Sequence, residues 1–231
     1  MIYEGKAKKL YETEDKDMLI QEFKDDATAF DATKRGTINQ KGVINNKLSE
    51  IIFKLLESKG VATHFVKRLS DRDMLVKRLK IIPIEVTIRN VIAGGMAKML
   101  GLEEGAPLKE AVLEYHYKED KLHDPLVNEY HIRAIGLATT SDLDFIRQVS
   151  FEINNVLKKF FAESNLLLVD FKLEFGKHKK KILLGDEISP DTCRLWDKTT
   201  KEKLDKDRFR RDLGKIEEAY QEVLRRVESS K

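Results

Sequence analysis

Between positions 169 and 175 apolar and charged residues alternate: Val169, Phe171, Leu173 and Phe175 are separated by Asp170, Lys172 and Glu174. A period of two is that of a strand with one buried face, so the charged set is displayed together on the other. A polar turn over 176–180 leads into a return strand at 182–184 that ends in Asp186 and Glu187, followed by a Ser-Pro-Asp turn and Arg194. Carboxylates carried on strands suit a hard cation, and Mg2+ is usually held by one or two of them plus substrate phosphates. A hairpin whose polar face simply meets water has the same pattern, so spacing alone leaves both readings open. Register adds a tension. A simple hairpin turning near His178 places Asp186 opposite Asp170 or Phe171, ~13 Å along the strand from Glu174. Either an irregular turn brings Glu174 and Asp186 together, or Asp170 replaces one of them.

A second stretch with chemistry is Gly5-Lys6-Ala7-Lys8, with 18–23 as the expected partner strand. Glycine in a strand–turn–strand lets backbone N–H groups approach phosphate, and Lys6 and Lys8 fall on one side at period two. A solvated lysine pair has the same appearance, and neither GxxxxGK[ST] nor GxGxxG occurs.

The elements that must position these residues follow from periodicity and punctuation. Helices are expected at 43–59, with Gly60 at the C-terminal cap, at 141–164, with Ser141 as the N-cap, and at 215–227. Strands are expected at 63–69, 74–79 and 84–91. Residues 24–42 form a long polar loop, 80–85 with Pro83 read as a connector between two lobes, and Gly94-Gly95 precedes a short helix closed by Gly101. A connector with free backbone groups beside apolar side chains is a plausible adenine slot.

Composition narrows the function classes. Charged residues make up 36% of the 231 but nearly cancel, leaving +3, which suits anionic small substrates as well as nucleic acid. The single cysteine, Cys193, excludes an intrachain disulfide and points to a reducing, cytoplasmic setting; no apolar run approaches a membrane span. His116, His123 and His131 are too irregularly spaced for a zinc site. An RNA-binding reading of the arginine-rich stretch 194–211 is weakened by interleaved acids, and a protein-kinase reading by the absence of HRD and DFG blocks.

The blocks VDFKLEFG and LGDEISPDTCRLWD, with IIPIEVTIRNVIAGG and GKAK, resemble the SAICAR synthetase family of purine biosynthesis, and the similarity runs over nearly the whole chain. The resemblance implies an α+β, two-lobed fold with an ATP-grasp-like nucleotide cleft: a small β-rich lobe over 1–80 and a larger lobe over 81–231. It implies joining of L-aspartate to the carboxylate of carboxyaminoimidazole ribonucleotide, with ATP cleaved to ADP and phosphate. Carried over residue by residue, Gly5, Lys6, Lys8 and Glu85 bind ATP, and Glu174 and Asp186 hold Mg2+. Lys172 and Lys8 are catalytic, Lys172 neutralising the carboxylate being phosphorylated. Arg89, Gly95, Asp191 and Arg194 bind the ribonucleotide. Segment 24–42 and the block Asp124-Pro125 with Asn128 lie near the site, with Asp120 assisting. One departure stands out: the family pattern has a hydroxyl residue where this chain has Gly95. The partners implied are small molecules, not nucleic acid or membrane, and the assembly a homo-oligomer, with a dimer favoured.

Overall fold

The computed structural model describes residues 1–29 and 33–230. Its first half contains β1 (Tyr3–Glu4), β2 (Lys8–Glu12), β3 (Met18–Phe23), the hairpin β4 (Asp26–Ala29) and β5 (Lys34–Thr37), helix α1 (Lys41–Ser58), β6 (Phe65–Arg68) and β7 (Asp73–Lys77). Five of these strands form an antiparallel sheet in the order β1-β2-β3-β7-β6. On β3 the alternation Leu19, Gln21, Phe23 turns one side inward, and α1 covers it with Leu48, Ile52 and Leu56. Gly60, at φ +89°, closes α1 as expected, with Val61 N–H returning to the Leu56 carbonyl. The stretch 24–42, expected to be a loop, instead holds the β4–β5 hairpin; Phe30, Asp31 and Ala32 within it lie outside the described residues.

The second half runs β8 (Lys80–Val91), α2 (Gly94–Leu100), β9 (Pro107–Tyr117), β10 (Leu126–Val127), α3 (Glu129–Ala134), α4 (Thr140–Glu163), β11 (Leu166–His178), β12 (Lys181–Leu184), β13 (Cys193–Asp197), α5 (Asp207–Arg210) and α6 (Ile216–Ser229). Its sheet has the order β10-β9-β8-β11-β12, with β13 also paired to β11. Register decides what each face carries. Ile88 lies opposite Phe171 and Val86 opposite Leu173, all fully buried; α4 packs on β8 and β11. The alternate positions pair Arg89 with Asp170, Thr87 with Lys172 and Glu85 with Glu174, so the other face is a polar ladder ~13 Å long.

Three local expectations change. Residues 80–85 are not a connector but the start of β8. Pro83 is accommodated because the β8–β11 register shifts between Glu174 and Gly176, leaving Ile82 and Pro83 off both neighbouring ladders. The Pro83 carbonyl accepts from Lys118 N–H at 3.0 Å, so it is not one of the free backbone groups expected of an adenine slot. Helix α4 is capped by Thr139, not Ser141, through a reciprocal pair with Asp142. The β11–β12 hairpin turns in two residues, Lys179 and Lys180, pairing His178 with Lys181.

Helices α1 and α6 meet over a buried ionic group. Lys41, 1% exposed, places Nζ 2.6 Å from Asp191 Oδ2, Asn45 Nδ2 donates to the same oxygen at 3.0 Å, and the Tyr220 hydroxyl donates to Oδ1 at 2.7 Å. Removing one member leaves a buried charge uncompensated. Lys41→Met is therefore expected to lose about 3–5 kcal/mol of stability in urea unfolding. Lys41→Met combined with Asp191→Leu should recover a large part of it. A single-variant loss below about 1 kcal/mol would contradict this assignment.

Candidate active site

The polar ladder gathers side chains from both sheets. Lys172 Nζ lies 2.7 Å from Glu174 Oε1, 3.0 Å from Asp186 Oδ2 and 3.2 Å from Glu85 Oε1. Lys118 Nζ is 2.6 Å from the same Glu174 oxygen. From the first sheet, Lys8 bonds Asp186 and approaches Glu187 Oε1 to 3.4 Å. Burial would raise the Asp186 carboxyl, but the Lys172 and Lys8 ammonium groups overcome it and hold the group far below the usual carboxylate range. Glu174 is lowered for the same reasons, burial opposing and Lys172 prevailing. Burial likewise disfavours charge on Lys172, yet Asp186 and Glu174 raise it well above an ordinary lysine.

The tight hairpin removes the 13 Å tension. Leu184 pairs with Phe175, Gly185 N–H donates to the Glu174 carbonyl at 2.9 Å, and Asp186 turns at φ +58°. Its carboxylate thus shares the Lys172 ammonium with Glu174. Asp170 stands elsewhere: its Oδ2 accepts from Arg89 Nη1 at 2.7 Å and from Arg194 Nη1 at 2.8 Å. Arg89 is further held by Glu114, and Arg194 by Asp207 at 3.0 Å.

Other expected residues are placed less uniformly. Residues 5–7 leave the strand, so Lys6 and Lys8 are not related by the strand period of two; Gly5 N–H closes a turn on the Lys8 carbonyl at 2.8 Å, and Lys6 reaches the exposed Asp120 at 2.7 Å. Asp124 and Asn128 serve local structure. Asp124 accepts from Glu119 N–H, and Asn128 caps α3. Asp191 reaches the cavity wall but is committed to Lys41, Asn45 and Tyr220. Gly95 is exposed, with nothing near its α-carbon side. Gly94 is the constrained one: its φ is +56° and the Arg194 guanidinium lies where a side chain would begin.

A cavity of about 320 Å3 runs between the Lys6 turn, β4 and this ladder. Six basic and three acidic side chains line it, which favours anionic ligands. Sequence reading missed Lys118, Lys206 and Arg210, and gave Glu187 no role of its own. Lys118 carried a usable signal, since it stands two residues before Asp120 in a charged block. The arginine-rich stretch is neutralised: Arg208 pairs with Glu202 and Arg210 with Asp207 inside it, and Arg211 with Glu104 outside it.

Residues 1–227 match the family model of SAICAR synthetase. The chain belongs to the SAICAR synthetase family. The phosphoribosylaminoimidazole-succinocarboxamide synthase of Caldanaerobacter subterraneus subsp. tengcongensis is 59% identical over 228 residues, covering 99% of this chain and 97% of that protein. The crystal structure of the synthase from Ehrlichia chaffeensis superposes with a TM-score of 0.96 at 45% identity, covering 98% of each chain. A type-2 SAICAR synthetase structure in complex with ADP also gives 0.96, at 49% identity over 98% of this chain and 97% of that one. The fold is thus α+β with the ATP-grasp-like cleft of SAICAR synthetases. The protein is an ATP-dependent ligase of purine biosynthesis, forming SAICAR from L-aspartate and carboxyaminoimidazole ribonucleotide. Among the described residues no helix is long and apolar enough to cross a membrane.

The two adjacent glycines are expected to behave oppositely. Gly94→Ala combines a left-handed backbone, costing about 1–2 kcal/mol, with displacement of Arg194, and should raise the KM for ribonucleotide at least about tenfold. Gly95→Ser enters open space and should keep wild-type activity. Steady-state kinetics on both variants checks this; equal behaviour would contradict the role given to Arg194.

Proposed function

We propose that the cluster of Lys8, Lys172, Glu174 and Asp186 is the phosphoryl-transfer centre of the ligation, and that the Arg89–Asp170–Arg194 group seats the ribonucleotide. The observation that carries this reading is the convergence of two carboxylates on the Lys172 ammonium with a lysine from the opposite sheet beside them. Lys6 and Lys8 hold ATP phosphates, with Gly5 shaping their turn and Glu85 lining the same end. Lys172 neutralises the ribonucleotide carboxylate as it takes the phosphoryl group. A carboxylate is a poor acyl donor, and phosphorylation supplies the leaving group that the aspartate amine displaces. Positioning and charge neutralisation suffice for such a transfer, without a protein nucleophile. Lys118, on Glu174, belongs to the same centre. Arg89 and Arg194 present guanidinium groups to the phosphate beside Gly94-Gly95, and Asp191 lines the ribose side.

The residues fit Mg2+. Their donors are hard carboxylate oxygens, and the ammonium groups on them mark a place where positive charge is stabilised. Among the described residues no three acidic, His or Cys side chains converge as a complete ligand set. Glu174 and Asp186 would therefore hold the ion together with substrate phosphates, the usual mode for this cation. When bound, Mg2+ neutralises and orients the phosphates of ATP.

Residues 1–80 and 81–231 are proposed as the two lobes flanking the cleft. A cytoplasmic homodimer is proposed as the working form. The buried free Cys193 and the exposed Met99, Leu100 and Leu102 support it. Sedimentation at micromolar concentration should give about twice the monomer mass, and a purely monomeric boundary would remove the dimer.

Glu174→Gln and Asp186→Asn should each lower kcat by about a hundredfold or more, ~2.7 kcal/mol of barrier, with partial recovery as Mg2+ is raised. Asp170→Asn should act on the KM for ribonucleotide instead. Lys6→Ala should raise the KM for ATP roughly tenfold and leave that for aspartate near wild type. Near-normal activity of both carboxylate variants at millimolar Mg2+ would remove the metal assignment.

A further inference from the structure

Of the six basic side chains that line the cavity, five are ion-paired. Lys6 meets Asp120, Arg89 meets Glu114 and Asp170, and Lys172 meets Glu85, Glu174 and Asp186. Arg194 meets Asp170 and Asp207, and Arg210 meets Asp207. The sixth is Lys206. Among the described residues no carboxylate comes within ion-pair distance of its Nζ, although acids flank it on both sides.

The local structure explains this isolation. Lys206 N–H donates to the Pro190 carbonyl at 3.1 Å, which ties the residue to the Ser189–Asp191 turn at the start of α5. Asp205 is turned inward, accepting from the N–H groups of Leu195 at 2.9 Å and Asp207 at 2.7 Å. Asp207 faces Arg194 and Arg210. Asp191 is the acid with the strongest pull on Lys206, yet both its oxygens are engaged by Lys41, Asn45 and Tyr220. Desolvation is the largest influence on the Lys206 ammonium and pushes its pKa down; Arg210 and Lys41 add to it. A partly desolvated cation without a counter-charge is costly, and an incoming anion relieves that cost.

The reading of the site given above, on which this step rests, accounts for the other anions. ATP phosphates fall to Lys6 and Lys8, the imidazole carboxylate to Lys172, and the ribonucleotide phosphate to Arg89 and Arg194. The amino acid substrate is the remaining anion, and it carries two carboxylates. We propose that Lys206 binds a carboxylate of L-aspartate, with Arg210, one turn further along α5 and also on the cavity wall, lending positive charge to the same subsite.

Steady-state kinetics with each substrate varied in turn tests this on Lys206→Gln and Lys206→Arg. Loss of one charge-assisted contact should raise the KM for L-aspartate roughly ten- to a hundredfold in Lys206→Gln. The KM values for ATP and ribonucleotide should stay within about twofold. Lys206→Arg, which keeps the charge, should restore most of the aspartate affinity. A rise confined to the ribonucleotide KM would assign Lys206 to the phosphate and overturn the proposal, while the phosphoryl-transfer reading, tested separately through Glu174 and Asp186, would stand. Unchanged kinetics would also overturn it. A second measurement needs no variant. With ribonucleotide and a non-hydrolysable ATP analogue present, saturating L-aspartate should protect Lys206 of the wild type from acetic anhydride, read by mass spectrometry. Equal labelling with and without aspartate would contradict the assignment.

Discussion

Buried carboxylates must meet positive charge, and here most of that duty falls on the Lys172 ammonium. It touches Glu85, Glu174 and Asp186 at once, on a sheet face where Glu174 is only 6% exposed. Isolated, each carboxylate would bind a proton or resist folding. Grouped around lysines they remain ionised, and Lys8 brings the first sheet into the same network through Asp186 and Glu187. The interaction that compensates the charges therefore also ties the Gly5–Ala7 turn to the strands of the second sheet. Ion pairs of this kind contribute little net stability compared with apolar packing. The value we propose for them is a field prepared for anionic substrates and a cation.

The arrangement depends on backbone register more than on any side chain. Pairing of β8 with β11 sets Glu85 against Glu174, Thr87 against Lys172 and Arg89 against Asp170. A slip by one residue would exchange this ladder for Val86, Ile88, Phe171 and Leu173. The apolar face packed under α4 forbids such a slip. The ladder also separates two chemistries by distance, with lysines and carboxylates toward Glu85 and arginines around Asp170. Irregularities flank both ends, a bulge of β8 at Pro83 and a register shift between Leu168 and Asp170 in the β11–β13 pairing.

Much of this was legible from residue order. Alternation at 169–175 marks the strand, Gly60 marks the end of α1, and acids around a turn mark the candidate site. The legible part is local, because period and capping are local. Register was not. Moving the turn by one to one and a half residues, from near His178 to Lys179-Lys180, shifts Asp186 by two or three positions, from opposite Phe171 or Asp170 to beside Glu174. Pro83 misled because a proline in a short apolar run looks like a break, whereas here the strand bulges around it. Thr139 and Ser141 are equivalent as cap candidates until the helix phase is known. Lys206 was hidden by its neighbours: between Asp205 and Asp207 it reads as a neutralised surface lysine, and only their inward commitments reveal its isolation.

The central claim is that the lysines on Glu174 and Asp186 hold those carboxylates ready for a cation and substrate phosphates. The most direct measurement is a crystal structure with ribonucleotide, a non-hydrolysable ATP analogue and Mg2+. The account predicts the ion on Glu174 and Asp186, with Lys172 Nζ released from Glu174 beyond 4 Å and turned to the substrate carboxylate. An ion bound elsewhere, with Lys172 still joined to both acids, would contradict it.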